Sequence, residues 1–560
     1  MAIQRSFGSS RRGLTRILLF FCALSLYGCS QESRVLSGNR AGILHVSLPA
    51  KPQTLDPHVA SGTQEYMLIS ALFEPLTVFD AETLTPEPGA AERWVFDTDG
   101  LGATFFLRKD LRWSNGDAVT ARDFVFAWRR ALNPKLGNQL AETLFHLKNA
   151  EEIYSDKIKD VSMLGVSAMS ERTLRLEFAH PVPELIVLEN LSHAGTVPLH
   201  APTLERYDAV DSRYAGWART GRLVGNGAFT LDEWRMQRDV SLKANPLYWN
   251  AASVGLNGIT FYPIESITTE EKLFRSGQLH LTTRLPASKV PSYRDSGAKA
   301  YIEQPISRSD YIAVNMSRPP LDDPKVRRAL ALAIDRPALA QTLYHGAATP
   351  IGGYVPTVIR DYPHPTPLKF DPETARRLMT EAGYPNGKGF PEISLLTSSD
   401  GIGRNFSTAA MQGWRDKLNI RVKPSLQEYR VYLDSLIGGD FDLVLASWNG
   451  AAQPQWWLDR WRSDSPTNDS RYSNARFDDL VLKKAKSTAD TKELLRIYAD
   501  AETLLMNDLP IIPLFQRHSK YLKQPSVKGM PANPINVINF ERVALNPDGG
   551  VWETEAPLYD

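Results

Sequence analysis

Residues 104–132 read TFFLRKDLRWSNGDAVTARDFVFAWRRAL, and this stretch decides how the rest of the chain is read. Thr104–Leu107 is a short apolar run with aromatic content, the pattern of a buried strand. Ser114-Asn115-Gly116-Asp117 follows, and because Asn and Gly both tolerate positive φ a tight turn is expected there. Thr120 and Asp123 stand at capping-box spacing, with Asp in place of the usual Glu. Beyond them Phe124, Ala127, Trp128 and Ala131 recur at helical spacing and give the helix one apolar face. Strand, turn and amphipathic helix is what spacing alone yields.

Residue identity adds what spacing does not. Phe106-Leu107-Arg108-Lys109-Asp110, Trp113, Asn115-Gly116, Val119-Thr120, Asp123-Phe124 and Trp128 together resemble the signature of the family-5 extracytoplasmic solute-binding proteins. These are the oligopeptide- and dipeptide-binding components of bacterial ABC importers. Further landmarks of that family follow in order: Leu55-Asp56-Pro57, Leu72-Phe73-Glu74-Pro75-Leu76, Gly89–Trp94 and the Asn245-Pro246-Leu247-Tyr248-Trp249 turn. The pattern N-x4-P-x-x-D-x-x-V-R-x-A-L-x-x-A-I-D-R runs from Asn315 to Arg336, and D-P-E-x-A-R-x-L-x-x-E-A-G-Y-P from Asp371 to Pro385. Pro510–Phe515 resembles the family's last crossing between lobes, so the resemblance spans about Ile43 to about Asn539.

That resemblance implies an α/β fold: a periplasmic-binding-protein-like two-lobe clamshell with an extra inserted N-terminal subdomain. Mapped onto this chain, lobe I is 43–73 with 198–307 and 519–560, the inserted subdomain is 74–197, and lobe II is 308–518. Asp323-Pro324 and Asp371-Pro372 each read as a helix start, with Asp as cap and Pro in the first turn. Val326, Ala329, Leu330, Ala333 and Ile334 form the buried stripe of the first of these helices. Asp160–Val166 and Leu174–Phe178 read as strands. Gly225-Asn226-Gly227 lacks the spacing of a dinucleotide site, and in the family such glycines let backbone pass close to other elements.

Composition agrees with a large soluble body. At 560 residues one compact core is too few, and two or three lobes are expected. The net charge is +1, but residues 1–28 hold Arg5, Arg11, Arg12 and Arg16 and no acid, so the chain from Cys29 onward is net negative. No clustered basic face argues for nucleic acid. Ile17–Leu26 is an apolar core too short to span a bilayer, as in an export signal. Leu26-Tyr27-Gly28-Cys29 resembles a lipobox, which implies a signal peptide over 1–28 and lipid on Cys29. Residues 29–42 are then expected to form a flexible tether to the membrane. Cys22 and Cys29 are the chain's two cysteines, so the exported body would carry no disulfide.

The family holds ligand between its main lobes, with closure driven by better contacts in the shut state. Cleft candidates by this resemblance are Ser61, Thr63, Tyr311, Arg404, Tyr429, Trp448, Asn449 and Gln453. After the strand-terminal Trp, peptide binders carry an Asp that takes the ligand's α-amine. Here Asn449-Gly450-Ala451-Ala452-Gln453-Pro454 holds no carboxylate, and Leu436 and Leu445 stand where oligopeptide binders place Arg. His58 has a structural and a ligand reading, and the role of His280, where the family has Asp, is open. Trp456, Trp457 and Trp461 read as core or rim.

No H-E-x-x-H, G-x-S-x-G or Walker motif is present, and the ten His lack an i, i+4 pair, so neither an enzyme nor a cofactor or metal protein is expected. The expectation is a monomeric receptor that captures peptides and delivers them to ABC permease subunits. Two alternatives stand beside it. One is the same fold binding a non-peptide solute such as an oligosaccharide. The other is a non-transport lipoprotein acting as peptide chaperone or signalling receptor.

Overall fold

The structure is a computed structural model that describes residues 32–399, 401–450 and 453–552. The export signal and Cys29 lie outside the described residues. Three sheets organise the chain into a two-lobe α/β clamshell with an inserted subdomain. In lobe I, Ile43–Leu48 pairs in parallel with Gly258–Pro263, which continues antiparallel to Asp239–Ala244 and Phe229–Arg235. The inserted subdomain is an antiparallel sheet in the order Ala91–Phe96, Gly102–Leu107, Thr173–Glu177, Val166–Ser170. Lobe II is a six-stranded mixed sheet, ordered Ala348–Pro350, Ile511–Leu522, Tyr301–Val314, Leu443–Asn449, Ile393–Ser398, Val422–Gln427.

The stretch that decides the fold forms as its spacing predicts. Gly102–Leu107 is a strand and Ala121–Ala131 a helix, opened by a capping box in which Asp123 accepts the Thr120 N–H at 2.7 Å. Phe124, Ala127, Trp128 and Ala131 are all 0% exposed. Burying two aromatic faces of this kind stabilises by roughly 2–3 kcal/mol each.

The family landmarks turn out to be mutual partners. Asp56 lies in a bidentate pair with Arg130 (2.9 and 2.7 Å) and also accepts the Trp217 Nε1–H at 3.0 Å. His58 Nδ1 lies 3.0 Å from the same guanidinium, which fixes its role as structural. Glu74 accepts from Tyr248 and from Trp249 Nε1 at 2.7 Å, while Asn226 brackets its backbone N–H (2.9 Å) and C=O (2.8 Å). A Cβ at Gly227 would stand 2.5 Å from the Leu72 carbonyl carbon, so only glycine lets these segments touch. In lobe II Asn315 Nδ2 donates to Gly439 and Phe441 carbonyls at 3.1 Å, and the buried Arg336 donates to Pro513 O at 2.7 Å.

Asp323 and Asp371 cap their helices as expected, accepting from Lys325 N at 2.8 Å and Thr374 N at 2.9 Å. The stripe of five apolar residues from Val326 to Ile334 is buried, although the helix itself ends at Leu332.

Two expectations need correction. The segment expected to be a flexible tether over 29–42 is, from Arg34 to Ala41, a docked helix. Ser33 Oγ caps it at Leu36 N, Gly42 ends it at φ 67, and Val35 is buried. Asn39 adds anchorage, donating to Gly549 O at 2.6 Å and meeting His280 Nε2 at 3.0 Å, and the Val35 N–H donates to Gly277 O at 2.9 Å. His280 Nδ1 in turn accepts the His45 N–H at 3.0 Å, so His280 ties this helix to the first strand. The other correction is at Asp160–Val166, expected as a strand. Asp160 caps a short 3-10 turn, Val161–Met163, through Ser162 N at 2.9 Å, and the strand starts only at Val166.

Candidate functional site

The lobes are joined by the strands Tyr301–Val314 and Ile511–Leu522, which pair antiparallel from Tyr301↔Leu522 to Ala313↔Ile511. Their lower ends reach lobe I, where Thr282 N donates to Leu522 O at 2.9 Å and Leu281 bridges Val46. The register shifts between Pro305 and Ser309, at the passage from one lobe to the other.

Next to this passage, Leu443–Asn449 pairs with the crossing strand through Tyr311↔Ala446, Ser309↔Trp448 and Arg308↔Asn449. On its other side it pairs with Ile393–Ser398 at Leu443 and Val444. The residues from Leu445 to Asn449 therefore run beyond that ladder, with Ser447 and Asn449 exposed and Trp448 half-buried. Leu445 O is occupied by the Tyr432 hydroxyl at 2.9 Å.

After Gly450 the chain packs back beneath this strand end as the helix Gln455–Leu458 and the turn Asp459–Trp461. Trp457 and Trp461 are fully buried, and with Tyr311 and Tyr354 they form an edge-to-face cluster. Ring centroids in it are 5.0 Å apart for Tyr311–Tyr354 and 5.7 Å for Tyr311–Trp461. Arg460 lies inside, its guanidinium 4.6 Å from the Trp448 ring centroid and ion-paired with Asp469, both side chains 7% exposed. Burial pushes the Tyr311 phenol up to about 12, against the pull of Arg460. Sequence reasoning missed Arg460 and Asp469, because neither belongs to a periodic or capping pattern.

The other expected residues are distributed over both lobes. Ser61 and Thr63 are exposed at the start of the lobe I helix Thr63–Leu72. Arg404 is exposed on the lobe II helix Gly401–Leu418. Tyr429 is 62% exposed and stacks on Tyr432, with ring centroids 6.1 Å apart. Gln453 is buried, and its amide Nε2 donates to Ile186 O and Asn190 Oδ1, both at 3.2 Å, joining lobe II to the inserted subdomain. Burial pushes the neighbouring Glu189 up to about 7.

A second polar cluster lines the crossing strands. Asp310 accepts from Arg517 at 2.9 Å and Tyr344 at 3.2 Å, and Glu303 meets His518 at 2.7 Å. Burial, with Arg517 nearby, lowers Lys520 to about 8. Among the described residues no His, Cys, Asp or Glu group is arranged to hold a metal ion. No helix among them is long and apolar enough to cross a membrane.

Residues 85–469 match the family described as bacterial extracellular solute-binding proteins, family 5 Middle. This chain belongs to that family. It is 31% identical over 487 residues to the periplasmic oligopeptide-binding protein OppA of Escherichia coli, covering 85% of this chain and 87% of that protein. It is 30% identical over 497 residues to the probable deoxycholate-binding periplasmic protein YgiS of the same organism, covering 87% of this chain and 90% of that protein. The Haemophilus influenzae OppA structure in complex with RPPGFSPFR superposes with a TM-score of 0.75 at 29% identity, covering 90% of this chain and 99% of the other. As a family-5 member, the chain is one of a group of solute-binding proteins, and its clamshell is the family's fold.

Proposed function

We propose that this chain is the extracytoplasmic receptor of an ABC importer, which shuts its two lobes over a peptide and hands it to permease subunits. It acts as a monomer, anchored by lipid on Cys29. The observation that carries the reading is the strand end Leu445–Asn449, which continues past its Ile393–Ser398 ladder beside the passage between lobes. An extended peptide can add there as a strand, its backbone satisfied by main-chain groups and its side chains left to the surrounding space. Ser61 and Thr63 approach from lobe I, and Arg404, Tyr429, Trp448 and Asn449 from lobe II, with Tyr311 and Gln453 supporting the wall behind them.

The test is ligand-induced stabilisation of the purified mature protein. Tri- to pentapeptides at a hundred times Kd stabilise by about 2.7 kcal/mol if they bind the folded state alone. Scattering profiles contract on binding. Peptides that leave the melting temperature unmoved, while another solute raises it, reject the assignment.

A second reading is favoured by a specific feature. The segment 449–454 has no carboxylate for an amine, Leu436 and Leu445 are half-buried apolar residues, and one relative is named as deoxycholate-binding. On that reading the same cleft takes a non-peptide amphiphile, and deoxycholate or an oligosaccharide is the stabilising solute in the same screen.

A further inference from the structure

The strand end Leu445–Asn449 has two faces, and they differ in charge. Residues opposite one another on paired strands share a face, and faces alternate along each strand. Trp448 therefore sides with Ser309 and Tyr311, while Ser447 and Asn449 side with Asp310 and Arg308. This second face is open to solvent: Ser447 and Asn449 are exposed, and the Arg308 side chain is 34% exposed. Arg308 Nη2 donates to Ser447 Oγ at 2.9 Å, and among the described residues Nη1 makes no hydrogen bond. Asp310 Oδ1 lies 3.5 Å from Arg308 Nε without a hydrogen bond, and Oδ2 is taken by Arg517 and Tyr344. Further along the crossing strands Glu303 is met by His518 and Tyr301. Lys520, paired across from Glu303, makes no ion pair or side-chain hydrogen bond among the described residues. Burial lowers it to about 8, with Arg517 and Arg308 adding to the effect against Glu303 and Asp310. Arg308, Arg517 and Lys520 thus share two carboxylates, and Arg308 is the cation that stands at the strand end.

From this excess we infer that the ligand presents a carboxylate to Arg308: a peptide with an acidic side chain at the position that points to this face. The inference rests on the peptide reading above and specifies it. A strand added beside Ser447–Asn449 sends alternate side chains to the Trp448 face and to the Arg308 face. The two terminal nitrogens of Arg308 offer N–H donors in the fork that fits a carboxylate. Because the guanidinium is part exposed and lacks a full counter-charge, the incoming carboxylate gains a charge-assisted bond without displacing an existing ion pair. A basic side chain at the same position meets like charge, so rejection contributes to specificity alongside attraction.

The experiment is calorimetric titration of the mature protein with alanine tetrapeptides in which one position at a time is Glu, Gln or Lys. At one position Glu is expected to bind about tenfold tighter than Gln, and Lys more weakly than Gln. Arg308→Gln is expected to reduce the Glu preference to less than about twofold while leaving the Gln peptide's affinity unchanged, whereas loss of a scaffold contact weakens all three alike. Arg308→Lys keeps the charge and is expected to retain a preference of about threefold or more. In the unaltered protein the Glu-to-Gln ratio should also shrink as salt rises from about 0.05 M to about 0.5 M, a readout that needs no variant to fold. Glu peptides binding no tighter than Gln peptides at every position overturn the inference and leave the peptide reading standing. A preference that survives Arg308→Gln, or one indifferent to salt, also overturns it. If no tetrapeptide binds while a non-peptide solute does, the peptide reading falls and the inference with it.

Discussion

The Asp56 knot and the wall behind Trp448 are both buried and both built around an arginine, yet they are saturated to opposite degrees. At the knot, Arg130 forms two bonds to Asp56 and others to Ala209 and Val210 carbonyls, and Asp56 accepts further from Trp217 and from His58 N–H. Burial pushes the Asp56 carboxyl up, but Arg130 overrides it and holds the group below its ordinary value. At the wall, Arg460 has one carboxylate partner and its Nε has none. A knot whose ion pair is fully partnered, with only His58 Nε2 of its polar side-chain atoms left unmet, fixes three segments of chain rigidly, whereas several buried polar atoms of the wall, Tyr311 Oη and Tyr354 Oη among them, are unmet. Buried polarity serves assembly in the first region; in the second it lies behind the strand end proposed to bind ligand.

Breaking the knot gives the largest expected effect. Arg130→Met strands the Asp56 charge in a buried site and is expected to cost about 3–5 kcal/mol in chemical denaturation. A loss below about 1 kcal/mol would erase the contrast between the regions. Gly227→Ala comes next, because its Cβ meets Leu72 and Phe73 backbone at 2.5 and 2.6 Å. Overpacking of this kind is expected to cost about 1–3 kcal/mol. Gly438→Ala, where nothing lies within 4 Å, is the control and should be neutral or slightly stabilising.

Acidity sharpens the comparison in a different way. Burial holds His58 and His146 down at about 3, so below the ordinary value of 6.5 the unfolded chain binds more protons than the folded one. Their contribution is present above pH 6.5 and is lost as pH falls from there toward 3. Glu74 and Glu502 act in the opposite sense: burial pushes both up to about 7, so folding takes up protons and gains stability as pH falls from above 7 toward 4.5. Stability measured against pH is therefore expected to rise on mild acidification and to fall in strong acid. His146→Leu should flatten the acid limb.

The smallest stability effects are expected at the wall's exposed side. Trp448→Phe should change folding stability by less than about 1 kcal/mol, and Tyr429→Ala by less than about 0.5 kcal/mol. Their readout is ligand affinity. A large loss of stability in Trp448→Phe would show that the wall is a structural knot like the other.

Most of the fold was legible because its determinants are local or are strings of residue types. Thr120 and Asp123 signal a helix start within four residues, and Asp323-Pro324 does the same. Asn315, Arg327 and Arg336 could be recognised within a pattern even though their work is distant, such as Arg327 Nε reaching Asp508 O at 2.8 Å. The docked helix Arg34–Ala41 was not legible, because Val35 is its one buried large apolar side chain and the remaining anchorage is polar and distant in sequence, through Asn39 to His280 and Gly549 O and through Val35 N–H to Gly277 O. Of the candidate site, Trp448 near the end of its strand could be named from the sequence, but the buried Arg460–Asp469 pair beneath it could not. An ion pair between a turn and a loop leaves no periodicity, and tryptophans at 457 and 461 look alike whether they are core or the backing of a pocket. Gln453 read as a ligand contact, but its amide reaches into the inserted subdomain instead.

The ladder shift between Pro305 and Ser309 has a mechanical meaning. The two connecting strands are also interior members of the lobe II sheet, so there is no slack cord between the halves to absorb a twist. Torque applied at the lobe I end passes through Ser309 directly to its cross-strand neighbour Trp448. If cargo seats on Trp448 as proposed, the angle of the jaw and the shape of the grip are a single coordinate, and tilting the indole also turns the far half of the molecule.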